Sequence, residues 1–117
     1  MRAIRDYLQD ILDQIERIER FTRKGQEAFL SNDETQYAVI HAFVIIGEAA
    51  KNLPDALLKS QEAIDWRQIK GFRDFLVHSY HKVNVKLIWA AVEDLPNLKA
   101  AVEGLLNAVE AEEENDS

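Results

Sequence analysis

The sequence predicts an all-α fold, an antiparallel four-helix bundle with a short additional helix. Three observations carry that prediction. Apolar residues recur at helical spacings of three and four through most of the chain. No window sustains the alternation that a strand needs. Gly, Pro, Ser, Asp and Asn fall between the periodic runs, where helices are stopped or capped. The chain has 117 residues, 47% of them apolar, enough for one domain with a real core. That domain is drawn over residues 1–109, and 110–117 reads as an acidic, disordered tail.

The first helix is read over residues 2–24. Ile4, Leu8, Ile11, Ile15 and Ile18 form its apolar stripe, widened by Leu12 and Phe21. Its polar face mixes both signs of charge, which suits a core-facing seam rather than a membrane surface. Gly25 is the stop signal. Residues 25–32 are read as a connection, with Ser31 and Glu34 in a capping-box pattern for the second helix, 32–53. That helix is apolar nearly all round, so it is expected to be covered on several sides, by its own chain or by a second subunit. Gly47 within it points to a close helix approach. His41 and Glu48, seven apart on one face, read as satisfied polar groups beside the core.

Pro54 ends this helix or starts a short one through Lys59. A loop at 60–65 follows, and Asp65 is placed to cap the next helix. Gly71 interrupts that helix and leaves room for another backbone or a ligand. Fraying is expected near residues 78–81. Asn84 caps the last helix, which Pro96 kinks or splits at the Asp94–Leu95 step.

Composition excludes several classes of function. Without cysteine there is no disulfide, thiolate metal site or cysteine nucleophile, and a reducing, cytoplasmic setting is expected. The N-terminal residues are charged from Arg2 onward and lack the apolar core of a signal sequence. The longest apolar stretch, Tyr37 to Ala50, is broken by His41, Gly47 and Glu48 and is too short to span a bilayer, so no membrane association is expected. No glycine-rich phosphate loop or dinucleotide fingerprint occurs. His78 and His81 supply at most half a metal site, so neither metal nor cofactor is assigned. The net charge of −7 is unevenly spread. The tail holds five acids and no base, whereas between Lys59 and Lys86 six cations face three carboxylates. A local excess of that kind is what phosphate binding requires.

The stretch Trp66 to Tyr80 concentrates the side chains that can do chemistry. Arg73 and Tyr80 are seven apart and would share a helix face, about 20° from alignment. Asp74 and His78 are four apart on the neighbouring face. Such a group is ordinarily no more than a solvated surface. Ser79 points roughly 100° away from its neighbour His78, so it is a poor nucleophile for a triad. Metal-free ribonuclease chemistry remains. A histidine takes the proton from a ribose 2′-hydroxyl or returns one to the leaving 5′-oxygen. An arginine holds the phosphate and stabilises the charge that develops on it. Asp74, one turn before His78, is placed to orient the imidazole. A strict helix sets Arg73 and His78 about 140° apart. Either a bent helix end or a second copy of the motif from another subunit would bring them to one phosphate.

The stretch Trp66-x2-Ile69-x-Gly71-Phe72-Arg73-Asp74-x-Leu76-Val77-His78-x-Tyr80, followed by Val83 and Trp89, closely resembles the HepT-like family of HEPN-domain ribonuclease toxins. So do Val44 to Pro54 upstream and Asp94-Leu95-Pro96-x-Leu98 downstream, so that the likeness covers roughly residues 3–103. The resemblance implies a HEPN-like homodimer with a composite ribonuclease site in the cleft between subunits. Arg73 and His78 would be its catalytic pair, and Asp74 the polar residue beside the arginine. Tyr80 would be the tyrosine of the Arg-x4-His-x-Tyr motif. The resemblance further implies the toxin of a type VII-like toxin–antitoxin pair, acting on cellular RNA. Its partner would be a minimal nucleotidyltransferase antitoxin that transfers AMP from ATP onto Tyr80. Arg67, Lys70 and Lys82 are the further cations expected to meet RNA. The alternative is a dimeric helical adaptor, or nucleotide-binding partner of a nucleotidyltransferase, that cuts nothing. The two differ in whether His78 is chemically required.

Overall fold

A computed structural model describes residues 2–116; Met1 and Ser117, at the outer ends of the domain and of the acidic tail, lie outside the described residues. Among the described residues the fold is all-α. Four longer helices, α1 (Ile4–Phe21), α3 (Asp33–Lys51), α5 (Trp66–His78) and α7 (Leu95–Asn115), make the bundle. Three short ones, α2 (Gln26–Leu30), α4 (Asp55–Leu58) and α6 (Val85–Glu93), link them. The sequence had suggested a single short addition.

The stripe on α1 becomes the centre of the core. Leu8, Ile11, Ile15 and Ile18 are fully buried, while Ile4 and Phe21 at the ends of the stripe are exposed. Helix α1 packs against α3 on one side and α7 on the other, and α3 in turn packs against α5. Small residues on α3 (Ala42, Gly47, Ala49, Ala50) are buried, so its backbone lies close to its neighbours. Coverage of α3 stops short of complete. Tyr37, His41 and Glu48, spaced four and seven apart on one face, stay exposed.

The chain leaves α1 with the Thr22 hydroxyl donating to the Ile18 carbonyl at 2.7 Å. It then turns at Gly25, whose φ of 94° belongs to the left-handed region that favours glycine. The stretch read as a plain connection contains α2. One buried aromatic anchors it: Phe29 is 1% exposed and stacks on Trp89. A five-residue helix is too short to show a period. Its presence also moves the next cap. The Ser31 hydroxyl closes α2 by donating to the Ala28 carbonyl, and Asn32 caps α3 by accepting from the Thr35 amide at 3.0 Å. The expected Ser31–Glu34 capping box is therefore not formed.

Asp65 and Asn84 cap α5 and α6 as the sequence predicts. The break before Pro96 splits the last helix into α6 and α7. A difference lies in the acidic segment. Helix α7 continues to Asn115 through the residues expected to be disordered. Val109 packs against the core, Glu113 pairs with Arg5 at 3.0 Å, and Ala and Glu propagate a helix once it has begun.

Candidate active site

Helix α5 starts where the Asp65 carboxylate accepts from the Gln68 amide at 3.0 Å. Trp66 is buried beside it, its indole N–H donating to the Gln61 carbonyl at 3.1 Å. Leu76, two residues from the other end, is buried too. These anchors present one edge of α5 to α3, and Arg73 on that edge crosses Gly47. A Cβ at position 47 would overlap the Arg73 Cβ and stand 2.8 Å from its Cγ, so only glycine permits this crossing.

The crossing builds a four-charge network. Arg73 Nη2 lies 2.8 Å from Glu48 Oε2, and Nη1 donates to Asp74 Oδ1 at 3.0 Å. Lys51 Nζ donates to the same Asp74 oxygen. Glu48 and Lys51 are three apart on α3, which puts them on one face. The Lys51 ammonium, and after it the Arg73 guanidinium, hold the Asp74 carboxyl below its ordinary range. Arg73 Nε is buried and makes no hydrogen bond. The guanidinium is thus held by its two outer nitrogens, each on a carboxylate.

His78 is the last residue of α5, exposed, and its imidazole makes no hydrogen bond among the described residues. The helix is regular up to it, and the Ser79 amide still donates to the Phe75 carbonyl at 2.8 Å. The bend comes afterwards, in a tight turn at Tyr80–Lys82. It begins too late to swing His78 toward Arg73, so the two remain about 140° apart around the helix axis. Asp74 reaches Arg73 and Lys51 rather than the imidazole. Its carboxylate therefore orients the arginine.

Tyr80 lies in the turn, past the helical register that would have aligned it with Arg73. Its ring rests 5.7 Å from that of Tyr37 on α3. Hydrogen bonding with Tyr37, then burial, pushes its phenol above the ordinary tyrosine range. Tyr80 is nonetheless 44% exposed. Arg67 is exposed in the first turn of α5 and Lys82 in the turn that follows its end, while Lys70 faces Asp55 at 3.8 Å. His41 is exposed, while Glu48, its expected companion, is drawn to Arg73. No group of three or more His, Asp or Glu among the described residues is arranged to hold a metal ion. No helix among them is long and apolar enough to cross a membrane. Sequence reasoning missed Lys51 and Tyr37 as site residues. The available signal was their place on the Glu48 face of α3, at helical spacings.

Comparison with known proteins bears on this arrangement. Residues 11–105 match the sequence model of the family described as "Ribonuclease HepT-like". The chain is 46% identical over 106 residues to "Probable ribonuclease HepT" of Thermococcus cleftensis, covering 89% of this chain and 96% of that one. It is 34% identical over 116 residues to "Putative RNase MJ0127" of Methanocaldococcus jannaschii, covering 97% and 96%. It is 35% identical over 108 residues to "Putative RNase TTE0752" of Caldanaerobacter subterraneus subsp. tengcongensis, covering 91% and 96%. No solved structure matches at a comparable level of significance.

Proposed function

The chain belongs to the HepT-like ribonuclease family, and from that premise we propose that it is a metal-independent endoribonuclease whose site is completed by a second copy of itself. Arg73 and His78 carry the chemistry. One His78 takes the proton from a ribose 2′-hydroxyl, and the 2′-oxygen attacks phosphorus. The bond to the 5′-oxygen breaks, and that oxygen leaves with a proton from the other copy's histidine. The products are a 2′,3′-cyclic phosphate and a 5′-hydroxyl. Arg73 stabilises the charge that builds on phosphorus.

The observation that carries the composite site is the regular helix through His78. One chain cannot aim Arg73 and His78 at a single phosphate from positions about 140° apart. Two copies related by a two-fold axis can bring both His78 side chains, as base and acid, and an Arg73 to one cleft. Exposed Tyr37, Val77 and Tyr80 add apolar surface near the motif for such a contact.

The reading extends to control. The chain acts as the toxin of a toxin–antitoxin pair, and a nucleotidyltransferase antitoxin transfers AMP from ATP to Tyr80, releasing pyrophosphate. A tyrosine phenol is protonated at neutral pH, so the transferase supplies the base that takes its proton. The new phosphate puts negative charge beside the cleft where RNA phosphate would enter.

The test is cleavage of labelled RNA in EDTA by the parent and by His78→Ala. General acid–base catalysis is worth about 10²–10⁴-fold, so the variant falls by about that factor with its helicity unchanged. Equal cleavage by both rejects His78 as the chemical group. Intact-mass measurement after incubation with the transferase, ATP and Mg²⁺ locates the adduct. A peptide other than that of Tyr80 carrying it would reject the modification site.

A further inference from the structure

We propose that Glu48 is an internal mimic of the RNA phosphate, occupying the Arg73 guanidinium in the free protein and swinging away when RNA binds. The inference rests on the ribonuclease reading given above and names a device within that same site.

The charges argue for it first. Arg73 and Lys51 face Glu48 and Asp74, so the network is balanced at two cations against two carboxylates. A phosphate added to that balanced set meets no net attraction. Arginine recognises phosphate through paired N–H groups. Here Nη2 is on Glu48, Nη1 is on Asp74, and Nε is buried. Both terminal nitrogens already face a carboxylate, so Glu48 on Nη2 competes directly with a phosphate for the guanidinium.

The two carboxylates are held unequally. Asp74 accepts from both Lys51 and Arg73, whereas Glu48 has Arg73 alone. The Glu48 side chain is also more exposed, 56% against 47% for Asp74. It stands one turn from the C-terminus of α3, where the helix dipole repels an anion. Its flexible side chain can rotate into water without moving either helix. Asp74 then remains to hold Arg73 by Nη1 while Nη2 is released to the ligand. Gly47 lets Arg73 pass close enough to meet the neighbouring Glu48, which ties the glycine to the device as well as to packing.

The probe is a fluorescent, mixed-sequence 2′-O-methyl oligoribonucleotide, which has no 2′-hydroxyl proton and cannot be cleaved. Anisotropy gives its affinity for the parent, Glu48→Gln, Arg73→Lys and the Glu48→Gln/Arg73→Lys double variant. Glu27→Gln, at an exposed carboxylate on α2, reports the effect of removing one negative charge elsewhere. Glu48→Gln is expected to bind about tenfold tighter than the parent, Glu27→Gln less than twofold tighter. The Glu48→Gln gain vanishes when Arg73 is lysine, because lysine lacks the fork that the carboxylate had masked. Equal gains from Glu48→Gln and Glu27→Gln overturn the inference, as does a gain that survives Arg73→Lys. Parallel cleavage assays separate the two claims. If His78→Ala abolishes cleavage and Glu48→Gln binds no tighter, the mimic alone falls. If His78→Ala cleaves as the parent does, the ribonuclease reading falls. Absence of binding by every variant likewise overturns the mimic, and the cleavage assay alone decides the ribonuclease reading.

Discussion

Alanine at position 47 sets two known effects against each other. In a helix interior alanine is favoured over glycine by about 1 kcal/mol. Against that, the new methyl group would overlap the Arg73 Cβ, stand 2.8 Å from its Cγ and 3.3 Å from the Ile69 carbonyl oxygen. Two of these neighbours are fixed by the α5 backbone, and no change of rotamer moves them. Helix α5 must therefore withdraw from α3 by about an ångström. Overpacking of this kind costs about 1–3 kcal/mol, and the rigid neighbours put Gly47 toward the upper end. The expected net loss is about 1–2 kcal/mol, or roughly 5 °C in Tm for a domain of this size. Two other helical glycines supply the control. A Cβ on Gly71 meets nothing within 4 Å, and one on Gly104 meets only the Gln61 side-chain amide, which can swing aside. Gly71→Ala and Gly104→Ala should each stabilise by about 0.5–1 kcal/mol. Urea unfolding followed at 222 nm compares the three. If Gly47→Ala is as stable as Gly71→Ala, α3 and α5 do not touch as tightly as argued. The same variant should weaken the Glu48–Arg73 coupling in a double-mutant cycle, since withdrawal of α5 stretches that pair.

Three further outcomes are expected. Asn32→Ala should cost about 1 kcal/mol and Ser31→Ala much less, because Asn32 holds the α3 amide; the reverse order in urea unfolding would restore the capping box. The lowered Asp74 carboxyl contributes stability that is present above its unfolded value near 3.8 and is lost as pH falls through its lower folded value. Carboxylate NMR of the folded protein should therefore put its midpoint below 3.8, Asp74→Asn should flatten the stability profile below about pH 4, and a midpoint at or above 3.8 would refute the pairing. For Tyr80 the sign runs the other way, with stability present below the ordinary phenol value of 10.0 and lost as pH rises through the raised one. Absorbance titration should show the Tyr80 transition moving down toward 10.0 in Tyr37→Phe, and an unmoved transition would break the link between the rings.

What the sequence displayed was whatever depends on period and on local chemistry. The α1 stripe, the Asp65 and Asn84 caps and the break before Pro96 are each decided within a few residues. Helix α2 was hidden because its helix rests on Phe29 meeting Trp89, sixty residues away. The site divides in the same manner. Arg73, Asp74, His78 and Tyr80 were visible as one cluster because a single stretch holds them. Their partners were not, since Glu48, Lys51 and Tyr37 meet them only once α3 lies along α5. Gly47 was the exception, a residue whose cost in a helix signals contact before the contacting element is known. The helical register that seemed to join Arg73 to Tyr80 failed because α5 ends at His78, a boundary set by the turn and not by the apolar period.

The two sides of α5 explain why the site hangs on α3. Toward α3, Arg73 is locked by Gly47, Glu48 and Asp74. On the other side, between α5 and the α6–α7 arm, lies an open groove of about 1450 Å³ lined by Phe43, Ile69, Phe72, Phe75 and Leu98 among others. Gly71 lines it too, which is why a side chain there would meet nothing. No dense contact from α7 presses α5 into place, so its depth and tilt follow from the α3 contact. A charge network at that contact therefore does more than set the local field. It fixes where Arg73 points, while the Gly47 contact, through the rigid helix, fixes where His78, five residues on, leaves the surface. Withdrawing α5 from α3 would thus shift Arg73 and His78 together, although only Arg73 touches the network.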